Sequence, residues 1–148
     1  MRFDLDDVPT TARVREAQMF FFVPAGPEGE PVQLRGWRLL RPWNETEATW
    51  LGPVSGAKWG LPGADHISHD RAGEPNADTV FTQSDGWIAL DVTELVQFEI
   101  ANPDENYGML LAITSLNGTD AAYTFLSSQN GQVNLRPLLR VVYSTDRD

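Results

Sequence analysis

Apolar and polar residues alternate with period two along several stretches of this chain, as they do in half-buried strands. In residues 15–23, Ala17, Met19, Phe21 and Val23 share one face, and Phe20 and Phe22 fall on the other. Residues 107–114 place Tyr107, Met109, Leu111 and Ile113 together. Residues 122–128, with Tyr123 and Phe125, and residues 137–143, with Leu139, Val141 and Tyr143, repeat the pattern. Residues 32–41 and 86–92 read as further strands, and Arg2 to Leu5 as a short first one. One short helical turn is expected near residues 92–97. There Asp91 stands as an N-cap, Glu94 follows at capping-box spacing, and Leu95 and Val96 turn to the core. Residues 52–85 lack the alternation and read as a long loop. The pattern predicts an all-β fold in one domain, residues 1–148: an antiparallel β-sandwich, jelly-roll-like.

Composition changes this picture little but narrows the partners. The chain of 148 residues is 41% hydrophobic, enough for a packed core, and has no cysteine to staple it or to hold a thiolate metal site. A net charge of −10 disfavours nucleic acid and anionic lipid. No apolar stretch is long enough to insert across a membrane. The opening MRFDLDDVPTT lacks the basic and then apolar regions of a signal peptide, so an export signal is expected outside this sequence.

Four segments, in order, resemble the DNRLRE family. They are FDLDDVPTTARVREAQMFFFV (residues 3–23), LLRPWNETEATW (39–50), WIALDVTELVQ (87–97) with NYGMLLA (106–112), and FLSSQNGQVNLRPLLRVVY (125–143). The resemblance implies a jelly-roll, carbohydrate-binding-module type of domain that binds an extracellular or cell-surface polysaccharide, alginate and other uronates included. In that family a further strand region precedes the FDL segment. With that strand missing, an open sheet edge is expected to recruit a partner strand, as a homo-oligomer. A covering of the Phe20 and Phe22 face by the loop 52–85 is the alternative.

The candidate ligand-binding residues are Trp37 and Trp59, for stacking on a pyranose, and Arg35 and Arg41, whose guanidinium forks suit uronate carboxylates. Trp43, Trp50 and Trp87 sit at strand ends or starts and are expected in the core, with a sugar platform of Trp43, Glu45 and Trp50 as the alternative. Period two puts Arg35, Trp37 and Arg41 on one face and Arg38 on the other. A solvated arginine face is the plainer reading of that strand. Asp65, Asp70 and Asp78 offer hard oxygen ligands for a structural calcium; a solvated acidic loop is the plainer reading. His66 and His69 have the spacing of zinc ligands but neither a helix nor a third histidine to support it.

No catalytic pattern stands out. Ser55 and Ser84 lack the strand-to-helix turn of a nucleophile elbow, and no glycine-rich phosphate loop is present. Asn44-Glu45-Thr46 and Asn117-Gly118-Thr119 fit the glycosylation pattern or a plain turn. The expected function is therefore a non-catalytic carbohydrate-binding module. An assembly domain of a surface protein or filament is the alternative. A small lyase or hydrolase, with His66 or His69 acting as base near Tyr107 or Tyr123, is the third reading.

Overall fold

The structure, a computed structural model, describes residues 1–24, 30–82, 85–118 and 120–145. Ser84 and Thr119 lie outside the described residues. Two antiparallel sheets of three strands each form a sandwich, as the alternation predicts. The strands are β1 (Arg13–Val23), β2 (Val32–Arg38), β3 (Ala77–Phe81), β4 (Gly86–Asp91), β5 (Met109–Ser115) and β6 (Leu138–Ser144). One sheet has the order β4-β1-β6 and the other β3-β2-β5.

Alternation on β1 decides the core. Ala17, Met19, Phe21 and Val23 are buried between the sheets, beside Ile88 and Leu90 of the neighbouring β4 and in one core cluster with Val32 and Leu34 of β2 and Met109 of β5. Each large apolar side chain so buried contributes about 1.5–3 kcal/mol. Gly36 is inward on β2 because no side chain fits there: a Cβ would lie 2.9 Å from the Met109 sulfur.

Helix α1 (Thr93–Ala101) is nine residues, longer than the single turn expected. Its N-cap is Val92, without a side-chain cap. Asp91 instead accepts hydrogen bonds from the Thr93 N–H at 2.9 Å and the Thr93 hydroxyl at 2.7 Å, and those two bonds hold its carboxyl below the usual range. The capping box does not form. Leu95, Val96 and Ile100 are buried as a helix stripe requires. Side-chain hydrogen bonds tie α1 to β1 and the residue before it: the Thr93 hydroxyl accepts from the Ala17 N–H at 3.0 Å, and Gln97 accepts from the Val14 N–H at 2.8 Å and donates to the Ala12 carbonyl at 3.2 Å. They serve the stretch where the pairing of β1 with β6 slips between Val14 and Glu16.

Three expected strands are modified. Residues 2–5 join no ladder, although Met1 exchanges two hydrogen bonds with Met109. Residues 122–128 run irregularly, with Tyr123 and Phe125 packed against Phe81. The strand from 32 ends at Arg38, and Leu39 makes a lone bridge to Arg71. The expected loop 52–85 in turn contains β3.

Candidate functional site

Between β2 and β3 the chain leaves the sandwich for a long excursion whose backbone is organised around one carboxylate. Asp70 is wholly buried. Its Oδ1 accepts from the Gly60 N–H at 2.9 Å, and its Oδ2 from Leu61 at 3.1 Å and His66 at 3.2 Å. Arg41 completes the set at 3.4 Å. Burial alone pushes the Asp70 carboxyl up; the three backbone donors and Arg41 outweigh it and hold it below the usual range. A carboxylate with charge-assisted bonds to three points of one loop fixes that loop's shape.

Arg41 also donates to the Lys58 carbonyl at 3.3 Å and meets the His69 Nε2 at 3.1 Å, which must accept, since arginine only donates. Its guanidinium stands 5.7 Å from the Trp59 ring centre. The Trp59 indole N–H is bound to the Thr49 carbonyl at 2.9 Å, and the ring is half-buried. Arg41 and Trp59 therefore hold the loop together. Trp37, half-buried on the outer face of β2, carries the Arg71 guanidinium 4.9 Å over its ring, and Arg71 in turn pairs with Asp65 at 2.6 Å. Arg38 leaves by the opposite face, as the period requires, to stack on Phe98 and pair with Glu105 at 3.5 Å.

Trp50, expected in the core, is 71% exposed. Its benzo ring lies against Gly63 so closely that a Cβ there would come within 2.5 Å. Gly63 has φ +80°, a conformation glycine adopts at no cost, and its N–H donates to the Trp50 carbonyl at 2.7 Å. One side of the indole is seated and the rest is open. Trp87, also expected in the core, points outward because Ile88 and Leu90 take the inward positions of β4. It is 38% exposed and edges onto Phe22 across the strands at 5.4 Å. Trp43 is half-buried, anchored through its indole N–H to the Tyr107 carbonyl at 2.7 Å.

The predicted ligand residues thus fall into two groups. Arg35 and Trp37 share the outer face of β2, and Arg41 and Trp59 lie in the loop core; Arg71, which follows Asp70, reaches back to Trp37. The Arg35 side chain makes no hydrogen bond or ion pair among the described residues, and its Nε is buried without a partner. Its cross-strand neighbour Asp78 is taken by Gln33 at 2.8 Å.

The three carboxylates proposed for calcium are not brought together: Asp70 is inside the loop, Asp65 is on Arg71, and Asp78 is on β3. Among the described residues no cluster of three or more His, Cys, Asp or Glu is placed to hold a metal. His66 and His69 meet edge to face at 5.6 Å, while the Tyr123 hydroxyl donates to the Glu30 carbonyl and is not oriented toward them by any bond.

Sequence reasoning missed Arg71, and it weighed Trp50 with Trp43 and Glu45 as a sugar platform but placed it in the core. Nothing in a Thr-Trp-Leu run says that a glycine thirteen positions on will seat the ring. Arg71 has a visible signal, in that it closes the His-x-x-His-Asp-Arg run, but its stacking partner lies on another element. No protein-family model matches the chain, and no curated protein matches it.

Proposed function

We propose that this chain is a non-catalytic carbohydrate-binding module for an extracellular polysaccharide, with the loop 40–72 and the adjoining outer face of β2 as its binding surface. The observation that carries the reading is Trp50: a large aromatic ring, mostly in water, with its benzo end against a glycine in a loop pinned by a buried carboxylate. An exposed indole costs hydration free energy at about 25 cal/mol per Å² of apolar area. A pre-positioned ring recovers that on the apolar face of a pyranose without first losing side-chain entropy. Arg35, a cation without a partner among the described residues, is the group suited to a uronate carboxylate. Arg41 serves as a positioning residue, since its charge is already used on Asp70. A glycan-array screen tests the reading. Binding concentrated on polysaccharides, acidic ones foremost, is expected; an array without a single polysaccharide signal overturns it.

A specific observation favours a second reading, an assembly domain. The outer face of the β4-β1-β6 sheet carries Phe20 and Phe22 half-buried, Trp87 at 38%, Val142 at 37% and Leu138 at 56% exposure. The long excursion does not pair with that sheet; its backbone bonds to strands go to Gly36 and Arg38 of β2. Such a patch on a sheet is what self-association covers.

A further inference from the structure

Residues 1–8 lie as a strap across α1 and the start of β5. Met1 exchanges hydrogen bonds with Met109 at 2.7 and 2.8 Å, and Asn106 Nδ2 donates to the Phe3 carbonyl at 3.1 Å. Beneath the strap is a cavity of about 170 Å³, with Leu5, Asp6, Val8 and Thr10 on one side and Glu99 and Asn106 among the residues on the other. Glu99 is 6% exposed on a helix face otherwise filled by Leu95, Val96 and Ile100. Its Oε1 and the Oδ1 of Asn106 are both buried without a hydrogen-bond partner. Two buried acceptors beside one partly open pocket have no donor among the described residues, and a proton on one of them supplies it.

We propose that the strap is held by a proton: neutral Glu99 shares its carboxyl hydrogen with Asn106 and keeps the strap seated, and ionised Glu99 opens the strap to water. The charges around the group do not compensate its ionisation. Burial pushes Glu99 up from 4.5 to about 7, against the Gly108 N–H, Arg38 of β2 and the Met1 ammonium. Arg38 is shared with Glu105, and Asp6 on the strap adds a like charge to the cavity. With the folded carboxyl raised, closure is fully favoured below about 4.5 and is lost as pH rises through about 7.

Hydrogen exchange of the Met109 amide, which donates to the strap's Met1 carbonyl, corrected for intrinsic rates and compared with β1 in the full chain from pH 5 to 9, tests this. The strap's opening equilibrium should rise with pH, by about 300-fold at most, the factor set by a carboxyl moving from about 7 to 4.5. The β1 amides should show no such rise, and Glu99→Gln should flatten the strap's profile. A pH-independent strap in the wild type, or the same rise in Glu99→Gln, overturns the proposal. Should Glu99→Gln not fold, the carbon-13 signal of the wild-type Glu99 carboxyl decides. A midpoint near 7 that coincides with strap opening supports the proposal, and one near 4.5 overturns it.

Discussion

Asp70 illustrates how one residue sets the surface that others present. Its oxygens tie Gly60, Leu61 and His66 to Arg41, and so hold the two limbs of the excursion together. Asp70→Ala leaves three part-buried N–H groups and the Arg41 guanidinium without their acceptor, so chemical denaturation should show a loss of about 2–4 kcal/mol. Because the folded carboxyl is depressed, its contribution is present above the unfolded value of about 3.8 and is lost as pH falls further. Asp70→Asn should therefore blunt the acid side of the stability profile; an unchanged acid limb would contradict the assigned bonding. Gly63→Ala tests the seat of Trp50 separately. It places a methyl in the ring's space at φ +80°, and should weaken polysaccharide binding more than it lowers the melting temperature. Little of this is legible in the sequence: Asp70 stands there as a calcium candidate or a solvated loop carboxylate, and Trp50 as core or part of a sugar platform, because a loop carboxylate that binds backbone amides leaves no pattern in residue types.

At the scale of elements, the alternation on β1 and β5 was legible because one face of each turns to the core, and a slip by one residue would expose it; on β4 the expectation put Trp87 inward, where Ile88 and Leu90 stand. Arg35 and Trp37 were correctly paired on one face for the same reason, while Arg41 fell outside the strand, where period two has no force. The helix was placed but cut short: Phe98, Glu99 and Ile100 extend it through contacts with Arg38, Gly108 and the core, all distant in sequence. Gln97 is the element's anchor. Gln97→Leu removes the partners of Val14 N–H and Ala12 C=O and should cost about 2 kcal/mol in denaturant unfolding. A change below about 0.5 kcal/mol would mean that water replaces both bonds.

The whole molecule is an antiparallel sandwich with a long excursion on one sheet, bearing the exposed Trp50, and an apolar outer face on the other. That division separates the two functional readings in space, so each has its own variant. Light scattering at micromolar concentration should show self-association that Phe22→Lys with Leu138→Lys abolishes, if the apolar face is an interface; a strict monomer at every concentration would remove the assembly reading. The central claim, a polysaccharide surface built on Trp50 and Arg35, is tested most directly by affinity electrophoresis through gels containing alginate, polygalacturonate or a neutral glucan. The wild-type chain should be retarded, most by the uronate gels. Trp50→Ala should lose at least about tenfold in affinity, while its stability changes by less than about 1 kcal/mol because the ring is largely exposed. Arg35→Ala should remove the preference for uronate over glucan. Equal mobility of the wild type and Trp50→Ala in every gel would contradict the account.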